Sequence, residues 1–245
     1  MEIIRSEILS RYRQIVFGMS TRNGGVSPGG LGLNLSFNVG DDKVNVIENR
    51  RRFFDALHIG LDELAFPMQC HSATVTPIVT WGGYEKCDGL ATAELGVFIA
   101  ISVADCVPIF LFDPVTRTAA GVHAGWRGSS SGIAINAVSL MGSEFGVKAQ
   151  DLVAFVGPAA GKCCYEVGLE VADLFKAEFV TEGSGGKMKI DLGGSTVSAL
   201  VSAGVSPTNI EQHKGCTIHE NERYHSHRRD GVNSGRMMGV IGIVR

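Results

Sequence analysis

Hydrophobic positions along the chain cluster in short runs separated by Gly, Pro and polar residues, and only a few segments carry a helical stripe. Residues 14–19, 65–69, 74–79, 153–156 and 237–244 have the length and composition of strands. Residues 97–103, 107–112 and 119–122 are apolar without alternation and rich in Val and Ile, which predicts central strands covered on both faces. Asp41-Asp42 predicts the start of a helix on which Val44, Ile47, Phe54 and Leu57 share a face, ending at Gly60, with Glu48, Arg50 and Arg51 turned to solvent. Gly128-Ser129-Ser130-Ser131 opens a second helix that runs to Phe145 and stops at Gly146. Further helices are expected from about 166–168 to Phe179 and over 195–203. The 183–186 glycine run reads as a mobile linker or hairpin tip, and the glycine-rich stretch 21–40 as a loop too long to be idle. No internal repeat is present. The mixed order of strands and helices predicts an α/β (mixed α+β) layered sandwich with mixed β-sheets and flanking helices, in a single domain over 1–245.

Composition narrows the partners. The chain has 245 residues, 44% of them hydrophobic, and a formal charge of −3. No general basic field exists to attract nucleic acid or an anionic membrane, so small molecules are the expected ligands. The N-terminal residues lack the apolar core of a signal peptide and no apolar run approaches the ~20 residues of a membrane span, so a cytoplasmic location is expected. Six cysteines, at 70, 87, 106, 163, 164 and 216, include no Cys-x-x-Cys pair. They read as free thiols in a reducing compartment, and a zinc finger or ribbon is not expected. The oligomeric state is not legible.

Three side chains stand at the ends of apolar runs where they can converge: Cys106 after 97–103, His123 after 119–122, and His71 between 65–69 and 74–79. Two imidazoles and a thiolate suit zinc and leave a fourth position open, as a catalytic site requires. A carboxylate behind each imidazole would fix its tautomer, and Asp88 and Asp105 are the candidates. A laccase needs several coppers and more histidine ligands than are grouped here, so copper ranks below zinc. The other histidines, at 58, 213, 219, 225 and 227, form no second cluster at a known spacing, and His225-Ser226-His227 reads as a polar loop.

The motifs around these residues carry a family resemblance. Ser20-Thr21-Arg22-Asn23-Gly24-Gly25, Leu33-Asn34-Leu35, Val39-Gly40-Asp41-Asp42, Glu48-Asn49-Arg50, Gln69-Cys70-His71, Cys87-Asp88-Gly89-Leu90, Ala104-Asp105-Cys106-Val107-Pro108, His123-Ala124-Gly125-Trp126-Arg127-Gly128, Tyr165-Glu166-Val167-Gly168 and Arg228-Arg229-Asp230-Gly231 occur in this order. The chain thereby resembles the bacterial laccase-domain proteins, first called multicopper polyphenol oxidases and later recognised as purine nucleoside phosphorylases with adenosine deaminase activity. Cys70-His71-Ser72 stands where that family often has Val-His-Gly, and His227 where an aromatic commonly precedes the two arginines.

The resemblance implies an α/β sandwich shared with a deamidating toxin domain that uses a Cys–His pair. It also implies a metal held by His71, Cys106 and His123, which are then the catalytic residues, with zinc as cofactor and purine nucleosides and phosphate as ligands. Arg22, Arg50, Arg127 and Arg229 are the motif-loop cations available for phosphate, Asn34 a candidate to hydrogen-bond the nucleoside, and Tyr165 a candidate to stack on the base. Asp88 and Asp105 complete the candidate set. The rival reading is a metal-free hydrolase or amidase with Cys106 as nucleophile and His123 as base, a class linked among related bacterial proteins to editing of cell-wall precursors. A non-enzymatic small-ligand or partner-binding module is the third.

Overall fold

The computed structural model describes all 245 residues. In chain order its elements are β1 (Ile3–Ile4), β2 (Ile15–Ser20), α1 (Lys43–Asp55), β3 (Leu64–Pro67), β4 (Val75–Pro77), β5 (Gly82–Tyr84), β6 (Gly89–Thr92), β7 (Phe98–Val103), β8 (Val107–Asp113) and β9 (Thr118–Ala124). They continue with α2 (Trp126–Ser130), α3 (Ile133–Phe145), β10 (Val153–Val156), β11 (Glu166–Val167), α4 (Leu169–Ala172), β12 (Val180–Glu182), β13 (Met188–Ile190), α5 (Leu192–Ser202), β14 (Ile210–Gln212), α6 (His227–Asp230) and β15 (Met237–Ile243). One six-stranded sheet has the order β1-β2-β15-β7-β3-β5, the other β14-β10-β8-β9-β6-β4, and β11-β13-β12 form a small third sheet. Both large sheets mix parallel and antiparallel pairs.

Alternation along the strands sorts the side chains into layers. From β8, Phe110 and Phe112 enter the core between the two sheets with Phe17, Ile99, Ile101 and Phe155, while Val107, Ile109 and Leu111 face the opposite way, under α3 and α5. From β7, Phe98 and Ala100 join Phe53 and Phe54 of α1 on the outer face of the first sheet. The result is four layers, helix, sheet, sheet, helix, which explains why β7, β8 and β9 read as apolar on both faces. Phe17 packs on Phe110 and Phe155 with ring centroids 5.1 and 5.0 Å apart. Such pairs contribute about 0.5–1.5 kcal/mol beyond their burial. Phe110 fits because position 239 of β15 is glycine: a Cβ there would lie 2.3 Å from the ring.

Several expected elements differ. Asp42 caps α1, its side chain accepting from the Val44 N–H. Val44 and Ile47 nevertheless face solvent, and the buried stripe is Val46, Asn49, Phe53 and Phe54. A polar Asn at the centre of that stripe hid it from a hydrophobicity pattern. Asn49 is buried because it ties down the glycine-rich stretch, donating to Ser27 Oγ, Gly32 O and Asn34 O and accepting from Val26 N. The helix expected over 128–145 is split, because Gly132 takes a left-handed φ of 81° between α2 and α3. The helix expected up to Phe179 is only α4, flanked by β11 and a 3₁₀ turn at Ala177–Phe179. The 183–186 glycines form the tip between paired strands β12 and β13. His123 lies inside β9, opposite Pro108, rather than in a turn. Of His225-Ser226-His227, read as a polar loop, His225 and Ser226 are buried and His227 is the exposed first residue of α6.

The connections position the site. Residues 68–74 join β3 in the first sheet to β4 in the second, and residues 104–106 join β7 in the first to β8 in the second. His71 and Cys106 therefore sit on two crossings between the sheets. Beside them, β6 pairs with β9 so that the His123 N–H donates to Asp88 O at 2.7 Å.

Candidate metal centre and surrounding cleft

The ligand atoms of His71, Cys106 and His123 all lie within 4.8 Å of one another. The two imidazole rings meet edge to face, centroids 5.0 Å apart. His71 and Asp105 carry positive φ values of 62° and 84°. Such backbone costs on the order of 1–3 kcal/mol for a non-glycine residue and persists only where surrounding bonds impose it.

Those bonds come from two buried carboxylates. Asp88 accepts from the backbone N–H of Cys70, His71 and Ser72 at 3.1, 3.0 and 2.7 Å, from Ser72 Oγ at 2.9 Å, and from His123 Nδ1 at 2.8 Å. It thus shapes the His71 turn and turns His123 Nε2 toward Cys106. Asp105 accepts from Thr217 Oγ1 and from the Arg228 N–H, both at 2.6 Å. It makes no hydrogen bond to either imidazole, so Asp88 alone orients a ring, and only that of His123. Gly125 closes the other side: a Cβ there would lie 3.0 Å from both Cys106 Sγ and His71 Cδ2.

Electrostatics within the group favour a thiolate beside an imidazolium when no metal is bound. Burial alone raises the Cys106 thiol, but the His123 and His71 rings facing it bring it down to about 7. Burial alone depresses His123, yet its bonds to Asp88 and Cys106 lift it to about 9. Asp88 is likewise pulled up by burial and held well below the usual carboxylate range by His123 and the Ser72 and Cys70 donors. Two imidazoles and a deprotonated thiol are the donor set of a borderline-soft metal ion.

The triad opens into a cleft of about 750 Å³. Among the predicted residues, Arg50, Asp105, Arg127 and Tyr165 line it together with His71, Cys106 and His123. Arg50 is pinned by its Nε–H bond to Leu35 O at 2.8 Å and lies over the Phe37 ring at 4.4 Å. Burial lowers its guanidinium to about 10, so it remains charged at neutral pH. Arg127 lies over Trp126 at 4.2 Å. Tyr165, its phenol pushed up to about 12 first of all by burial, keeps a protonated hydroxyl.

Four predicted residues do not line it, Asp88 because it is fully buried behind His123. Arg22 faces a separate surface pocket and is held by Gly30 O and Asn221 O. Asn34 is fully buried, bonding Ser36, Asp41 and the Arg236 N–H. Arg229 turns inward to Asp230 and to the carbonyls of Thr217, Ile218 and Tyr224. In its place Arg228, one residue earlier on α6, enters the cleft and stacks on Tyr165 at 4.9 Å. Successive helical residues point about 100° apart, and here the bonds of Arg229 to Asp230 and to three backbone carbonyls hold its guanidinium inward while Arg228 faces the cleft. Arg236 and His227 also line it and were not singled out. The available signal for Arg236 was its position immediately before the central strand β15.

Comparison with known proteins relates the chain to one family whose members carry several activity names. The family model described as multi-copper polyphenol oxidoreductase laccase matches residues 16–244. A Geobacillus stearothermophilus relative named purine nucleoside phosphorylase YlmD is 34% identical, over 93% of this chain and 89% of that protein. Its crystal structure superposes with a TM-score of 0.93 at 32% identity, covering 100% of this chain and 97% of that one. A protein named adenosine deaminase RL5, from an unknown prokaryotic organism, is 36% identical over 84% of both chains. A human protein named purine nucleoside phosphorylase LACC1 is 33% identical over 93% of this chain and 55% of its own length. With the match running over nearly all of both sheets and the cleft between them, the chain belongs to the laccase-like multi-copper polyphenol oxidoreductase family, whose relatives here carry the names of nucleoside enzymes.

Proposed function

We propose that the protein is a zinc-dependent purine nucleoside phosphorylase, acting on adenosine, inosine, guanosine and methylthioadenosine and also deaminating adenosine, with the whole chain as one catalytic domain. The observation that carries the reading is a concentration of unpaired positive charge beside the triad. Arg50, Arg127, Arg228 and Arg236 all line the cleft and none of them forms an ion pair, so four guanidinium groups gather on one concave surface without a carboxylate partner. Several unpaired guanidinium groups around a concave surface suit phosphate. The names of the relatives, purine nucleoside phosphorylase and adenosine deaminase, support purine nucleosides as the substrate class.

His71, Cys106 and His123 would hold the zinc, which supplies when bound a Lewis acid able to activate water at neutral pH. The chain's own groups do the rest. Asp88 keeps the proton of His123 on Nδ1 and so leaves Nε2 free as a ligand. The arginines hold phosphate against the anomeric carbon, where a phosphate oxygen forms the new bond to C1′ as the C1′–N9 pair departs with the purine. In deamination a water oxygen bonds C6 of adenine and ammonia leaves. Phe37, Phe66, Trp126 and Met238 supply the apolar part of the cleft wall around these polar groups.

The test is release of free purine from each nucleoside with and without phosphate. We expect base release to require phosphate and to yield ribose 1-phosphate, while ammonia release from adenosine proceeds without it. Base release indifferent to phosphate would overturn the phosphorylase reading. One observation favours a second reading, a thiol hydrolase: Asp88, His123 and Cys106 also form the carboxylate–imidazole–thiol chain such enzymes use. Copper-dependent oxidation of polyphenols is less suited to a cleft that groups only two imidazoles and one thiol.

A further inference from the structure

A second group of soft ligands lies outside the triad. We propose that Cys163, Cys164, Cys216 and His219 form a second metal site, a closed Cys₃His set for zinc that fastens the 159–165 loop to the 216–219 loop.

The four ligand atoms lie within 4.8 Å of one another. Cys163 Sγ and Cys164 Sγ stand 3.4 and 3.6 Å from His219 Nδ1. Tetrahedral zinc, with Zn–S of about 2.3 Å and Zn–N of about 2.0–2.1 Å, requires sulfur and nitrogen about 3.6 Å apart. Both contacts already have that spacing. Cys216 is buried and its sulfur accepts the Gly161 N–H at 3.2 Å, the kind of support a metal-bound thiolate receives from nearby backbone. Cys163 and His219 are exposed, which leaves the ion a way in.

The ligands come from two loops that already touch: Ala159 and Cys216 form a parallel bridge, and the Thr217 N–H donates to Ala159 O at 3.0 Å. Three thiols with one imidazole fill four positions, so this is a closed structural site, unlike the open triad. Its sequence signature is not Cys-x-x-Cys. An adjacent Cys-Cys pair in one loop meets a Cys-x-x-His in the other, and neither half is diagnostic alone. Cys164 immediately precedes Tyr165, and Thr217, next to Cys216, holds Asp105. An ion here would thereby fix two residues that line the cleft.

The test uses reduced, metal-stripped full-length protein titrated with Co²⁺ and then Zn²⁺. Wild type should bind two equivalents, and a variant carrying His71→Ala and Cys106→Ala should keep one. That remaining equivalent should give intense thiolate-to-cobalt absorption with tetrahedral visible bands, displaced by zinc. Adding Cys163→Ser and His219→Ala, both at exposed positions, should weaken it at least ~10-fold, since even groups behind the ligands carry that much. The apo protein's circular dichroism should not change. In otherwise wild-type protein the same two substitutions should reduce the stoichiometry from two to one, a second measurement that does not depend on the cleft variants folding. A single equivalent in wild type that survives Cys163→Ser with His219→Ala and is lost with His71→Ala and Cys106→Ala would overturn the proposal, as would cobalt spectra indifferent to Cys163 and His219 or a disulfide among the three cysteines in protein purified under reducing buffer; a single equivalent with the reverse pattern would overturn the triad reading instead.

Discussion

Asp88 and His123 are joined by a 2.8 Å hydrogen bond between two side chains almost wholly removed from solvent. They are 35 residues apart in sequence and adjacent because β6 pairs with β9. The same carboxylate accepts the three consecutive N–H groups that shape the His71 turn. One residue therefore sets the orientation of one imidazole and the backbone beneath the other, and the two ligand-bearing segments are mechanically coupled through it.

Asp88→Asn tests that coupling. An amide offers one acceptor oxygen and turns an NH₂ toward groups that are themselves donors. Zinc affinity, measured by competition with a chelator, should fall about 10–100-fold. The fold should survive at a cost of about 1–3 kcal/mol for the mismatched donors. Unchanged affinity would show that the carboxylate serves the turn alone.

Gly125→Ala probes the opposite wall. Its backbone, at φ −74° and ψ 171°, suits alanine, so no strain arises from the conformation itself. The added Cβ instead meets Cys106 Sγ and His71 Cδ2 at 3.0 Å each. Turnover and metal occupancy should drop sharply while the midpoint of thermal unfolding changes little. A variant with full activity would mean that both ligands can retreat without consequence.

Much of this arrangement was legible in the chain and some was not. The apolar runs gave the central strands because each is buried on both faces, a local property that composition records. Cys106 and His71 were found because they end such runs. The buried face of α1 was missed because its middle position is Asn49, whose burial depends on four hydrogen bonds to a loop more than a turn of sequence away. Arg229 and Arg228 were exchanged because motif position does not say which way a helical side chain points. The Cys163, Cys164, Cys216 and His219 group was invisible for a similar reason: its halves are separated by more than fifty residues and meet only through the bridge at Ala159.

The arginines divide into two groups with different expected effects. Arg236→Gln and Arg228→Gln remove charge from the cleft, and losing one charge-assisted bond of about 1.5–3 kcal/mol should raise the KM for phosphate about 10–150-fold. Deamination of adenosine, which holds no external phosphate, should change less. Arg229→Ala breaks an inward network and should lower stability, with the phosphate KM of the folded fraction close to wild type. Equal losses of both activities in Arg236→Gln would assign that residue to nucleoside binding or to structure.

His225 predicts an acid limit to stability. It is fully buried, and neither ring nitrogen has a hydrogen-bond partner. Burial first, then the positive charges of Arg22 and Arg236, lower it from 6.5 to about 3. The folded state thus keeps it neutral, and between about pH 6.5 and pH 3 the unfolded chain binds the extra proton. Stability must fall as pH drops through that window, and the contribution is complete above it. His225→Phe should flatten this part of the stability-versus-pH curve and be neutral or stabilising near pH 8, because an apolar ring replaces unpaired polar atoms. An unchanged acid slope in urea titrations would move the effect to other groups.

The two readings of Cys106 separate in one set of measurements. If it is a ligand, chelation should abolish turnover, zinc should restore it, and the stripped protein should expose a thiol that alkylating agents modify and that zinc protects. Cys106→Asp should then keep some metal and some activity, because carboxylates also bind zinc, at ~2.0–2.2 Å. If it is a nucleophile, chelators should leave turnover intact, an electrophilic substrate analogue should add a mass to the Cys106 peptide, and the Asp variant should be inactive. His71 sharpens the distinction. Its ring lies beside that of His123, centroids 5.0 Å apart, and faces the same thiol without an Asp88 bond to its own ring nitrogens, a position that makes it a ligand in a three-ligand site and only an electrostatic neighbour in a carboxylate–imidazole–thiol chain. His71→Ala should therefore cost metal and turnover together. A metal-free His71→Ala variant that retains full turnover would assign the protein to the hydrolase class.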